Sequence, residues 1–387
     1  MLGVAHVLGL MLAAFAATYT LPIIAGLMAE DGTVGQFILA ALISAGVGLG
    51  LAAATRRHAR ELKPRDGFLL VTVGWVLMSA SAAVPLLMLL PHLTFTKAFF
   101  ETMSGLTTTG STVLTGLDGL PPSINLWRAT LHWCGGLGII VLAVAVLPLL
   151  GVGGMQLYTA EAPGPVKDEK LTPRITETAK SLWLAYIAIT AVGIVALRIC
   201  GMSWFDAICH CFTAVGLGGF STHDASIAYF DSPAIEMVLS ALMIVASLSF
   251  TRHFVALRRL TLLLSRQAGR ELKLLVHPSA VAPVRIGGRP IPERVVNSVL
   301  AFIFLYFMTA AVLTFALLAT GLDFESSFGA VIASINNTGP GLGIVGPGKT
   351  YQGLSELQTW ICIAAMLLGR LEFFSVLVLF TPAFWRK

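Results

Sequence analysis

Apolar residues run almost unbroken over eight stretches, at 4–28, 34–54, 67–91, 127–150, 179–199, 235–257, 296–320 and 358–380. A helix needs about 20 mainly apolar residues to cross the hydrocarbon, so each stretch predicts a membrane span. Three shorter apolar stretches lie between spans. Each opens on an aromatic and runs into a glycine beside hydroxyl, amide or glycine residues, with no charge at the turn. They are Phe95 to Gly110 (FTKAFFETMSGLTTTG), Trp204 to Gly219 (WFDAICHCFTAVGLGG) and Phe324 to Gly339 (FESSFGAVIASINNTG). With the glycines in register, the aromatic openers align. So do the small residues Ala98, Ala207 and Ser327 and the apolar Phe99, Ile208 and Phe328 that come after them. These stretches are too short to span. The repeat predicts a unit of helix, re-entrant half-helix, extended glycine loop and helix.

Composition turns this pattern into a class. The chain is 56% hydrophobic and 12% charged, with a mean hydropathy of +0.84, whereas soluble chains carry about 25% charged residues. It is read as an all-α integral membrane protein. AFAAT offers a cleavage site, but the first 28 residues contain no Lys or Arg. The positive region of a signal peptide is missing, and a retained span is expected.

Basic residues give the orientation. Arg56, Arg57, Arg60, Lys63 and Arg65 follow the second span; Lys167, Lys170, Arg174 and Lys180 follow the fourth. Eight arginines and lysines between Arg258 and Arg294 follow the sixth, and the chain ends Arg386, Lys387. Alternating spans put all of these on one side and the three glycine loops on the other. Both termini are therefore expected in the cytoplasm, with the loops facing outward. This topology accounts for the net charge of +5 without nucleic acid. The five cysteines show no disulfide framework. Cys209, His210 and Cys211 are read as core residues, because neighbours one or two apart do not share a helix face.

Non-helical backbone at membrane depth must be buried or line a watery cavity. Glycine permits backbone angles that aim successive carbonyls the same way, and such carbonyls replace the hydration shell of a large monovalent cation. No carboxylate lies within 107–112, 216–222 or 336–342, so the loops do not form a charged ring. Glu101, Asp118, Asp206, Asp224 and Glu325 fall on the outward half of the units and are expected to attract cations at the mouth, while Asp206 and Glu325 equally suit the partial positive charge of the half-helix N-termini. Arg370 and Glu372 fall inside the last span. An intramembrane charge is a functional hypothesis by default, here an electrostatic gate in a cation path or a structural pair. A membrane-embedded enzyme would have only His132, His210 and His223–Asp224 to work with, in different units, so no catalytic residue is expected.

These three stretches, with HWCGGLGIIVLAVAVLPLLGVGGMQLYTAEAPGP, KDEKLTPRITETAKSLW, GGFSTHDASIAYFDSPAIE and LGRLEFFSVLVLFTPAFWR, resemble the TrkH family. Its members are membrane subunits of bacterial Trk potassium uptake systems, within the Trk/Ktr/HKT superfamily. The resemblance implies two leading helices and then pore units arranged pseudo-symmetrically around one pore. It implies potassium as the transported substrate with no covalent cofactor, a homodimer in the bacterial inner membrane, and a TrkA-like cytosolic NAD/ATP-binding regulatory subunit. Transport by this family is passive or ion-coupled, as in a symporter.

By motif position, the filter residues are Thr108, Thr109 and Gly110, then Leu217, Gly218 and Gly219, then Asn337, Thr338 and Gly339. Potassium is expected at Thr109, Gly110, Gly218, Gly219, Thr338 and Gly339, with Arg370 in the permeation path beneath them.

The resemblance calls for four units, and three are found. Nothing between Asp224 and Asn336 resembles a filter, and FTRHFVALRR passes directly into LTLLLSRQAGRELKLLVHPSAVAPVRIGGRP. One unit contains two spans, so its removal preserves the sidedness of every later span. The expected organisation is two leading helices (1–66), a first pore unit (67–175), a second (176–257), a basic cytoplasmic linker (258–294) and a last pore unit (295–387). The second filter also departs from the family, with Leu217 and Gly218 where a threonine is common. The alternative to a potassium pathway is a non-conducting, internally deleted paralogue that retains only dimerisation or partner binding.

Overall fold

The structure, a computed structural model, describes residues 1–58, 64–136, 175–247 and 293–371, with positions 138, 285–286, 289–290 and 379. Two leading helices come first. One is a nearly continuous rod of α1 (Leu2–Phe15), a short 3-10 turn and α2 (Thr20–Ala29), and the other is α3 (Val34–Thr55). They pack through small residues spaced four apart, Gly9 and Ala13 on one and Gly48 and Ala52 on the other. A Cβ on Gly9 would lie 2.6 Å from both the Gly48 carbonyl and the Ala52 nitrogen, so only glycine permits this approach. Lipid gives two apolar helices no hydrophobic reason to associate, and close backbone contact supplies the attraction instead.

Three units come next. The first contains α4 (Pro64–Leu89), α5 (Phe95–Leu106) and α6 (Pro122–Gly136). The second contains α7 (Ile175–Ile199), α8 (Trp204–Val215) and α9 (Pro233–Ser247). The last contains α10 (Glu293–Ala319), α11 (Phe324–Ile335) and α12 (Glu356–Arg370). Five helical stretches among the described residues are long and apolar enough to cross a membrane: Leu2–Ala29, Val34–His58, Asp66–Leu89, Leu182–Ile199 and Leu300–Ala319. The spans expected at 127–150, 235–257 and 358–380 are described only in their first parts, α6, α9 and α12. The remainder, with Glu372 and most of the basic residues of the 151–180 and 258–294 connections, lies outside the described residues. Among the described residues, the helices are accompanied by one antiparallel pair of two-residue strands, Arg285–Ile286 with Arg289–Pro290, within an otherwise helical fold.

The first unit sits at the centre. One apolar core joins the leading helices, the first unit and the last unit, while the second unit has its own core around Tyr186, Cys211 and Leu239. Trp127 ties the leading helices to the first unit. Its ring stacks on Tyr19 at 4.4 Å, and its indole N–H donates to the Ala82 carbonyl. Among the described residues, the extensive helix contacts link the first unit to each of the other two but do not link those two to each other.

Candidate functional site

The three short helices begin at the aligned aromatics Phe95, Trp204 and Phe324, and each is 12 residues long. At 1.5 Å per residue that is about 18 Å, well short of a hydrocarbon core of about 30 Å. The residue before each opener is a side-chain cap. Thr94, Ser203 and Asp323 accept the backbone N–H of Lys97, Asp206 and Ser326 respectively, which satisfies an otherwise orphaned donor.

The C-terminal ends are also alike. The N–H of Thr108 donates to the Gly105 carbonyl and that of Thr109 to the Ser104 carbonyl. Leu217 and Gly218 repeat this with Ala214 and Thr213, and Asn337 and Thr338 with Ser334 and Ala333. This paired pattern closes a helix on a left-handed residue. Glycine usually fills that place, yet here it holds Thr108 (φ 55°), Leu217 (φ 59°) and Asn337 (φ 50°). Two residues on, the backbone is left-handed again at Gly110 (φ 83°), Gly219 (φ 93°) and Gly339 (φ 90°). Sequence register therefore becomes backbone geometry, repeated three times.

The loops meet. A Cβ on Gly110 would collide with the Gly218 carbonyl, and one on Gly339 would sit 2.8 Å from the Thr109 oxygen and 3.4 Å from the Gly110 oxygen. The carbonyls of Thr109, Gly110 and Gly218 thus lie at one junction. Asn337 Nδ2 donates to Thr109 Oγ1 at 2.8 Å, and Thr109 Oγ1 also pairs with Thr107 Oγ1. The Gly339 carbonyl is taken by two donors, Ser111 Oγ and the Tyr351 hydroxyl, each at 2.9 Å. The first loop is buried between its neighbours. Leu217 is 41% exposed, Gly219 and Thr338 are exposed, and no described atom lies within 4 Å of a Cβ on Gly219. Among the described residues, the second and last loops are thus less enclosed than the first.

Two of the expected mouth carboxylates are committed elsewhere. Glu101 does not face the mouth; it is 1% exposed and pairs with Arg128 at 2.8 Å. Asp206 accepts from Ser203 Oγ and Thr222 Oγ1. At the exposed ends of their loops, Asp118 Oδ1 pairs with His223 Nδ1 at 2.5 Å, and Asp224 accepts the Gly116 N–H. The hydrogen bond from His223 holds the Asp118 carboxyl below its ordinary value. Glu325 is exposed.

His210 is buried, bonding the Asp206 carbonyl and Ser221 Oγ. Cys211 gives its thiol to the Thr190 carbonyl. His132 stacks on Phe220 at 4.1 Å and fills the space beside Gly218 where a side chain would stand. The described His, Cys, Asp and Glu residues form no metal-binding group.

Arg370, at the end of α12, reaches across to the first unit. Its guanidinium donates to Thr108 Oγ1 at 3.2 Å and to the Gly135 carbonyl, and lies 5.6 Å from the Trp75 ring. The residue before it carries no signal in the sequence. A Cβ on Gly369 would collide with the Ile335 carbonyl, just as one on Gly135 would collide with that of Leu106. Each glycine lies in the closing helix of its unit, packed on the last carbonyl of that unit's short helix. Gly369→Ala is expected to cost about 1–3 kcal/mol through overpacking, measured as a lower melting temperature in detergent. An unchanged melting temperature would mean that the contact contributes nothing to stability.

The TrkH profile, described as cation transport protein, matches residues 35–276 and 258–387. The chain is 38% identical to the Trk system potassium uptake proteins TrkH of Salmonella typhimurium and Escherichia coli K12, over 480 aligned positions covering 99% of each chain. To the TrkH of Halomonas elongata it is 39% identical, over 99% of this chain and 98% of the relative. An alignment of 480 positions exceeds the 387 residues present, so many aligned positions of the relatives have no counterpart here. The two profile ranges overlap at 258–276. The crystal structure of the potassium transporter TrkH from Vibrio parahaemolyticus superposes with a TM-score of 0.82 at 34% identity, covering 100% of this chain and 99% of that one. Repeated half-helices closing on left-handed loops, and these matches along almost the whole chain, have one reading: the chain belongs to the TrkH family of cation transport proteins.

Proposed function

We propose that the protein takes up potassium across the bacterial inner membrane, with the backbone carbonyls of its glycine loops replacing the ion's hydration shell. The observation that carries this is the junction of three loops with the same alternating left-handed backbone, in a family whose relatives are named potassium uptake proteins. The cation sites are Thr109, Gly110, Gly218, Gly219 and Thr338. Gly339 contributes shape more than a free oxygen, because its carbonyl already accepts two hydrogen bonds. Arg370 stands beneath the loops as the electrostatic gate. The basic connections face the cytoplasm and meet a nucleotide-binding regulatory subunit, and the functional form is a homodimer.

The ring holds three units of a fourfold plan. The surplus of aligned positions over residues and the overlapping profile ranges support the loss of the third. Exposed polar backbone at membrane depth is costly, so the open side is covered by another polypeptide in the conducting assembly. Expression in a bacterium lacking potassium uptake is expected to restore growth on low potassium. Good membrane abundance without restored growth would sink the proposal.

A further inference from the structure

Alignment of the repeats reveals a second layer behind the filter. Six residues after each aromatic opener stands Glu101, His210 or Ala330, and seventeen after it stands Thr112, Ser221 or Gly341. In the first two units these positions are hydrogen-bonded partners. Thr112 Oγ1 donates to Glu101, with its oxygens at 2.9 and 3.0 Å, and His210 Nε2 lies 3.0 Å from Ser221 Oγ. In the last unit the polar pair is replaced by backbone contact, with a Cβ on Gly341 falling 2.8 Å from the Gly329 carbonyl. Each pore helix thus braces the chain two residues beyond its own filter glycine.

Arg128 joins the first two braces. Its Nε donates to Glu101 Oε1 at 2.8 Å, Nη2 to Thr112 Oγ1 at 3.2 Å, and Nη1 to the Ser221 carbonyl at 2.9 Å and to Asn125 Oδ1 at 3.3 Å. Its guanidinium also lies 4.3 Å from the Phe220 ring. Glu101 Oε2 in turn accepts the Val113 N–H at 2.9 Å. The Thr112 carbonyl accepts the Tyr351 N–H at 2.8 Å, so the last unit is tied to the same point. A planar fork with fixed donor directions suits this role. The surroundings are buried, and such charge-assisted bonds are rigid and strong there.

We propose that Glu101 and Arg128 are positioning residues that set cation selectivity, by fixing the outer ends of the first two filter loops relative to each other. This rests on the reading of the loops as a cation filter. Discrimination by carbonyls depends on how many oxygens reach the ion and how far the cage contracts around a smaller one. A strut holding two of the three loops opposes that contraction. The pair is not a mouth charge, because neither group faces water.

Removing one partner leaves a buried charge and endangers folding, whereas removing both charges does not. The test therefore uses the double variant Glu101→Gln/Arg128→Gln, with Thr112→Val as an independent second. Rubidium uptake into cells is measured against competing sodium. In parallel, the melting temperature of the purified protein is compared in potassium and in sodium. Sodium is expected to compete about tenfold better in both variants, and the extra stabilisation by potassium over sodium is expected to shrink. Wild-type discrimination in variants of wild-type abundance overturns the proposal. If the unmodified chain transports nothing yet is stabilised by potassium over sodium, the transport reading fails, and the melting comparison still decides the role of the pair. If it shows neither, both fall.

Discussion

Gly110→Ala is expected to abolish potassium uptake while Gly219→Ala only weakens it. Both positions are left-handed, at φ 83° and 93°, so both substitutions carry a conformational cost of roughly 1–2 kcal/mol. They differ in what the new methyl group meets. At Gly110 it collides with the Gly218 carbonyl, whereas at Gly219 no described atom lies within 4 Å. Relief at Gly110 requires the first two loops to part, which displaces the oxygens that, on the proposed function, replace water around the ion. Growth on low potassium and rubidium uptake, normalised to membrane abundance, are expected to separate the two by about tenfold or more, or at least ~1.4 kcal/mol. Equal losses would show that backbone strain alone matters and that the loops do not form one cage.

The second large effect is expected at Arg370, in the opposite direction. Arg370→Gln keeps a donor for Thr108 Oγ1 and the Gly135 carbonyl but removes a permanent positive charge that, on the proposed function, lies in the cation path. Two unit charges about 8 Å apart, at an effective dielectric of about 20, repel by about 2 kcal/mol. Uptake is therefore expected to rise, by up to about thirtyfold, with melting temperature little changed. An unchanged rate with a lower melting temperature would identify Arg370 as a tie between α12 and α6 and nothing more. The two outcomes separate the gate from the strut.

The architecture was legible because its signals are local. Span length follows from apolar run length, and the aromatic openers mark the first residues of α5, α8 and α11. The caps Thr94, Ser203 and Asp323 stand immediately before them. What escaped depends on facing partners that no local pattern encodes. Glu101 reads as a mouth charge until Arg128, on another helix, is seen beside it; its register with His210 was the available clue. Gly369 looks like any glycine in an apolar helix until the Ile335 carbonyl is found against it. The left-handed residues at Thr108, Leu217 and Asn337 escaped for the converse reason, since no glycine marks them.

The tie between the first and last units has a consequence for biogenesis. Ser111 Oγ donates to the Gly339 carbonyl across 228 residues of sequence, and Asn337 reaches Thr109 across the same separation. Ribosomes add about 5–20 residues per second. The first glycine loop is therefore synthesised roughly ten to fifty seconds before the polypeptide that completes it emerges. During that interval the first loop relies on bonds within its own unit, such as Thr107 with Thr109 and Thr112 with Glu101, to hold its shape.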